Sequence, residues 1–308
     1  MLRYIKLLGG LAIAGALSFP AAAAAADPVK IGFITKFPVE FFATMENAAK
    51  AYAAAHPEVE IVYGQGQSGT DIEGQIALIE SMVTQGVQGI ALTPVDPTVA
   101  PALDKAIADG VKIVLMDNDI PDWNGKTALA TTNNYNAGVI AGTYLKSVLK
   151  DGDKIGILEG VPGVPALDDR VNGMLKGLEG VAVEVVGRGG TNCTQELGVT
   201  VAEDILTANP DLKAIYAACG PPAVGATQAI ANAGIANDDI VMVGFDACCG
   251  ELDKIVSGQE DATVAQFPAK MGELGVDSLV KAIRGEKVES LVDTGAGLVT
   301  ADNVKDYQ

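Results

Sequence analysis

The chain has 308 residues but one histidine, one tryptophan and only 5% aromatic residues. The single His56 stands in Ala55-His-Pro-Glu58, at the end of a helical pattern and away from every strand tip, where it reads as a surface residue. A His-activated nucleophile is thereby unsupported. Positive charge is also scarce, with 21 Lys and Arg against 39 Asp and Glu and a net charge of -18, which argues against nucleic acid or an anionic membrane surface as partner. No cysteine precedes Cys193, so nothing near the N-terminus could carry a lipid anchor. The four cysteines are Cys193, Cys219, Cys248 and Cys249, with no paired C-x-x-C. With so little histidine this speaks against zinc, and no other metal or cofactor is implied. No linker or low-complexity segment follows Asp27.

One basic and apolar head is present. Met1-Leu-Arg-Tyr-Ile-Lys6 leads into Leu7 to Ala26, which is uncharged and ends in alanines. Its densest apolar part, Leu7 to Phe19, is short of the roughly 20 residues a membrane span needs. Residues 1–26 therefore read as a secretory signal peptide, and the mature chain is expected to begin near Asp27 and to be exported. In that setting an even number of cysteines predicts disulfides, and three pairings are open.

From Val29 to Ala265 apolar runs alternate with helical patterns, the signature of a parallel sheet with crossover helices. Strands are expected at Val29 to Thr35, Glu60 to Tyr63, Gly89 to Leu92, Lys112 to Met116 and Thr127 to Ala130. A second series is expected at Lys154 to Leu158, Val181 to Val186, Ala214 to Ala217, Ile240 to Phe245 and Ala262 to Ala265. Two such series predict an α/β chain of two similar Rossmann-like lobes, and the length gives each one enough residues for its own core.

Ligands of open α/β sheets bind beyond the carboxyl ends of the strands, so the tips carry the functional reading. The run Ile240 to Phe245 ends on Asp246, which either meets a ligand or caps the next helix. The first strand ends near Lys36, and Phe41 and Phe42 open the helix that follows, placed for core packing or for stacking. The fourth runs into Asp117-Asn-Asp119, short polar side chains able to bond several hydroxyls, with one of them available for an Asx turn before Pro121. Arg170 lies early in a helix, against the dipole, and needs a partner: Asp168, Asp169 or a ligand oxygen. Cys193 and Cys219 also follow strands. Tyr63-Gly-Gln-Gly-Gln-Ser-Gly69 matches G-x-G-x-x-G only literally, after the second strand rather than the first, and reads as a mobile turn before a helix near Asp71.

Phe41-Phe42, Asp117, Thr132-Asn-Asn-Tyr-Asn-Ala-Gly138, Val243-Gly-Phe-Asp246 and Ala262-Thr-Val-Ala-Gln266 together resemble the type I periplasmic sugar-binding proteins of ABC importers, the ribose-binding protein-like family. The resemblance spans Val29 to Val299. It implies two lobes joined by a three-crossing hinge, residues 27–131 plus 267–295 and residues 132–266 plus 296–308, which close as a monomer around one small sugar or polyol and deliver it to a membrane permease. On that resemblance Phe41 and Phe42 contact the sugar ring, Asp117 its hydroxyls, and Arg170, Asp246 and Gln266 complete the site. The chain departs from the ribose-binding pattern at Asn118, Cys193 and Cys219, where that pattern has Arg, an aromatic residue and Asn. Within the resemblance, Cys193 is expected to join Cys219 and Cys248 to join Cys249, with exchange between the two pairs left open. Lys36 with Asp117-Asn118-Asp119 also resembles the autoinducer-2-binding branch, which makes a furanosyl signal the second ligand reading. An exported glycosidase, with Asp117 facing Asp246, is the competing enzyme reading. It lacks a supporting base or nucleophile, and no enzymatic activity is expected.

Overall fold

A computed structural model describes residues 28–308; the expected signal peptide lies outside the described residues. The first half of the chain runs β1 (Val29–Thr35), α1 (Glu40–Ala55), β2 (Val59–Gln65), α2 (Ile72–Thr84), β3 (Gly89–Leu92), α3 (Ala100–Ala108), β4 (Lys112–Met116) and β5 (Ala128–Thr131). The second half runs α4 (Asn134–Val148), β6 (Lys154–Glu159), α5 (Pro165–Gly177), β7 (Glu184–Gly190), α6 (Gln195–Ala208), β8 (Leu212–Ala217), α7 (Gly220–Asn232), β9 (Val241–Asp246), α8 (Glu251–Val256) and β10 (Ala262–Ala265). It closes with α9 (Pro268–Ile283), β11 (Leu291–Asp293) and β12 (Gly297–Thr300).

The helices begin where local chemistry starts them. Asp71, Asn133 and Thr194 accept backbone N–H groups two or three residues into α2, α4 and α6, and proline opens α5 and α9, where its missing N–H costs nothing.

Two six-stranded sheets result, ordered β11-β5-β4-β3-β1-β2 and β12-β10-β9-β8-β6-β7. All neighbours are parallel except β12, which runs antiparallel to β10. Each sheet is buried on both faces. Ile31, Phe33 and Val114 pack beneath α1 and α9, while Ile34, Ile90 and Ile113 pack beneath α2 and α3. The second sheet repeats this with Ile155, Tyr216 and Phe245 on one face and Leu158, Ile215 and Met242 on the other. The two lobes are therefore alike, and the chain passes between them after β5, after β10 and between β11 and β12.

Three features differ from the sequence expectation. β7 begins at Glu184 rather than Val181, because Val181 and Ala182 belong to a turn in which the Ala182 N–H donates to Asp151. The last strands, β11 and β12, were not expected at all, since runs of three and four residues among Thr and Gly leave no alternating pattern to read. The glycine-rich turn after β2 is not loose: its first glycine, Gly64, lies inside the strand, and Asp71 accepts from both Gln67 N (3.0 Å) and Gly74 N (3.0 Å).

The second lobe depends on one close helix contact. Gly138 and Gly142 of α4 face Gly173 and Gly177 of α5, and a methyl group at Gly142 would collide with the Met174 carbonyl. Gly142→Ala must push the helices apart and is expected to cost about 2 kcal/mol or more, read as a lowered denaturation midpoint. An unchanged midpoint would show that the contact is not close in solution.

Candidate functional site

The carboxyl ends of the two sheets face each other across a cleft of about 490 Å³. The first lobe contributes Lys36 beyond β1, Phe41 and Phe42 from α1, and Asp117, Asn118 and Asp119 beyond β4. The second contributes Arg170 from α5, Cys193 beyond β7, Cys219 beyond β8 and Asp246 at the end of β9, and Gln266 lies in the crossing after β10. All eleven residues singled out by sequence thus line one cavity, together with several that were not, among them Asp96, Leu167 and Thr194.

Asp246 is the hub of the second-lobe side. Its Oδ1 accepts from Arg170 Nη1 (3.0 Å) and Gln266 Nε2 (2.6 Å), and its Oδ2 from Gly220 N (3.1 Å), the first residue of α7. Asp246 therefore does cap a helix, but α7 rather than the α8 that follows it in sequence. Both sequence partners considered for Arg170, Asp168 and Asp169, are displaced by Asp246. Arg170 is 4% exposed, lies over the Phe245 ring, and also donates to Asn134 Oδ1 (2.9 Å) and the Ala218 carbonyl (2.9 Å). Those bonds use Nε and Nη1; Nη2 has no protein acceptor among the described residues. Asn134, which the sequence places only within the Thr132–Gly138 stretch of the resemblance, aims Arg170, a role with no local signal because the two residues are 36 apart.

Gln266 is only 5% exposed, and with its Nε2 given to Asp246 its Oε1 has no partner among the described residues. A buried amide oxygen left without a donor is costly unless something else supplies one. Across the cleft Asp117 takes a left-handed backbone (φ 63°) held by Thr131, whose hydroxyl donates to the Asp117 carbonyl (2.5 Å). With the Asn118 amide turned to satisfy its neighbours, its Nδ2 donates to Asp117 Oδ2 (3.0 Å) and its Oδ1 accepts from Lys36 Nζ. Burial raises the Asp117 pKa against the pull of Lys36 and Arg170, and lowers that of Lys36 against the pull of Asp117. Asp119 Oδ1 is already shared by the Ile120 N–H (2.8 Å) and Lys126 (2.9 Å), so it shapes the turn.

The apolar wall is formed by Phe37, Phe41 and Phe42, with Phe42 edge-on to both other rings at 5.3 and 5.4 Å. Phe41 and Phe42 are 8% and 5% exposed, so they serve as core and as cleft lining at once. Opposite them Cys193 is bonded to Cys219 (Cα–Cα 5.6 Å), and Cys248 to its neighbour Cys249.

Two Rossmann-like lobes closing on a cleft lined from both sides define a two-lobed solute-binding protein. Residues 31–287 match the model of the periplasmic binding protein domain, and the chain belongs to that family of solute binders. It is 32% identical over 273 residues to the D-ribose/D-allose-binding protein of Pseudomonas aeruginosa, covering 85% of each. Among solved structures it is similar to an ABC transporter solute-binding protein from Burkholderia graminis in complex with D-arabinose (TM-score 0.85, 28% identity, 92% of this chain and 99% of that one). It is also similar to one from Bacillus halodurans with bound myo-inositol (TM-score 0.84, 26% identity, 92% and 98%).

Proposed function

We propose that the protein captures a small, uncharged sugar or polyol between its lobes and delivers it to the membrane permease of an ABC importer, as an exported periplasmic monomer. The observation that carries this reading is the unpartnered Gln266 Oε1, together with the free Nη2 of Arg170, on two cleft residues that share Asp246 Oδ1: a spare acceptor and a spare donor suit hydroxyl groups, which both give and accept. An uncharged ligand is favoured because Arg170 already faces Asp246 and Lys36 faces Asp117, so neither cation of the cleft is left for an anionic ligand to neutralise. The names of the relative and the ligands of the two structures, ribose or allose, arabinose and inositol, are all neutral polyhydroxy compounds. The rigid bodies would be residues 27–131 plus 267–295 and residues 132–266 plus 296–308.

A glycosidase is disfavoured by the bonding of Asp246. With Oδ1 facing an arginine and an amide, and Oδ2 on a helix N-terminus, three of its roughly four acceptor sites are already taken, which suits a positioning group better than a nucleophile or a proton donor.

The test is a thermal-shift screen of the mature, oxidised chain against neutral pentoses, hexoses, polyols and furanosyl signals. A ligand at 100 times its Kd should add about 2.7 kcal/mol to stability. Gln266→Leu is expected to abolish that shift while leaving the free protein folded, since it deletes a buried unpaired acceptor. Stabilisation by charged solutes alone would overturn the reading.

A further inference from the structure

The loop Asp246–Gly250 bears on capture in a way that ligand contacts alone do not explain. Asp246, Ala247, Cys249 and Gly250 all have left-handed backbones (φ 105°, 52°, 62° and 102°), and three of them are not glycine. Such a run persists only where its surroundings fix it. Three successive N–H groups show what does so. Ala247 N donates to Thr263 Oγ1 (3.3 Å) and Cys248 N to Glu251 Oε2 (3.0 Å), both within the second lobe. Cys249 N instead donates to Glu40 Oε2 (3.1 Å), on the first turn of α1 in the first lobe. Beside it Cys248 packs against the first lobe's apolar cluster, which contains Phe41 and Phe42. The same short loop that carries the adjacent-residue bridge thus touches the opposite lobe twice, once by a charged hydrogen bond and once by apolar contact, at the rim of the cleft.

We propose that the Cys248–Cys249 loop and Glu40 form a latch holding the two lobes closed, and that reduction of the bridge releases it. The proposal rests on the ligand-capture reading for its biological meaning, though not for its geometry. The chemistry is a two-electron exchange with a dithiol: one dithiol sulfur attacks the bridge to form a mixed disulfide, and its second sulfur resolves it. The dithiol leaves as a disulfide, and Cys248 and Cys249 each gain a proton as thiols. Without the covalent link Cys249 is no longer confined to its left-handed conformation, so its N–H can turn away from Glu40 and the Cys248 side chain from the first lobe's apolar cluster. Glu40 is a positioning residue here, acting on closure rather than on the ligand.

Peptide mapping of the unreduced chain comes first, because finding Cys248 and Cys249 as free thiols would overturn the latch at once. Small-angle X-ray scattering then compares the oxidised chain with the Cys248→Ser, Cys249→Ser double variant and with Glu40→Ala. Both variants are expected to be more open, with a larger radius of gyration, and Glu40→Gln, which keeps an acceptor oxygen, to recover part of the closed form. For a sugar or polyol that stabilises the oxidised chain, the double variant should bind about tenfold more weakly, a coupling within the usual allosteric range. Identical scattering curves for the oxidised chain and the double variant overturn the proposal. If no neutral ligand binds any form, the capture reading fails by itself, while scattering still decides the latch.

Discussion

Asp246→Ala is expected to abolish ligand-induced stabilisation and to lower the stability of the free protein by about 3–5 kcal/mol, the cost of leaving one partner of a buried ion pair behind. The removed carboxylate has three donors. Arg170 is left buried with a full charge, its remaining acceptors being neutral, while Gly220 at the start of α7 and the Gln266 amide each lose their acceptor. In a chain of this size the melting temperature should fall by roughly 10 °C. Asp246→Asn keeps an acceptor oxygen on one side only and puts an NH2 donor on the other, so it should cost less than Asp246→Ala but reverse one contact and still weaken binding. The decisive comparison is the double variant Asp246→Leu, Arg170→Met. Replacing both charges by apolar groups of similar size should recover most of the lost stability and none of the binding. If the double variant is as unstable as Asp246→Ala, the loss comes from packing rather than an uncompensated charge.

How much of this was legible in the sequence depends on distance along the chain. The strand tips were readable because a parallel strand is a short apolar run and its end is where polarity returns. Lys36, Asp117 and Asp246 announce themselves in that way, and the fold then brings those tips to a common cleft. What the tips bond to was not readable. Arg170 finds Asp246, 76 residues on, in preference to the acids beside it, because α5 turns Arg170 toward the cleft over the Phe245 ring. β11 and β12 escaped notice for a different reason: neither has enough residues to show a period, and both are strands only because a neighbour supplies the hydrogen bonds. Glu40 was equally silent, since nothing in an acidic first helical turn distinguishes a residue that favours the helix dipole from one that reaches across to another lobe. The adjacent cysteines were conspicuous in sequence, yet only the two-lobed arrangement places Cys248 against the first lobe's apolar cluster.

The buried carboxyls behind the cleft lead to the other large expected effect. Glu251 is fully buried and Glu260 is 2% exposed, and a methyl group at Gly244 would collide with an oxygen of each, so the two carboxyls lie close together. Neither Glu260 oxygen receives an N–H or hydroxyl donor among the described residues, whereas Glu251 accepts from Thr263 Oγ1 (2.7 Å) and Cys248 N (3.0 Å). Two carboxylates cannot share such a site with both ionised, so the pair holds at least one proton. Burial, with Asp246 adding to it, pushes Glu251 up to about 8, and burial beside Glu251 and Asp261 pushes Glu260 well above the carboxylate range. Both values are raised on folding, so the native state holds protons that the unfolded chain gives up near pH 4.5. The contribution is complete below about pH 4.5 and is lost as pH rises through about 8. Each pH unit in that interval is worth on the order of 1.4 kcal/mol per proton held. Measured from pH 5 to pH 9, the wild type should therefore lose a few kcal/mol that the isosteric Glu260→Gln variant does not, because the new amide donates to Glu251 without needing a proton. The variant should be the more stable protein above pH 8 and show the flatter profile, and parallel profiles would mean that no proton is held by the pair Glu251 and Glu260. Because Glu251 also accepts the Cys248 N–H, its ionisation acts on the loop that meets Glu40, and the same titration should report on closure as well as on stability.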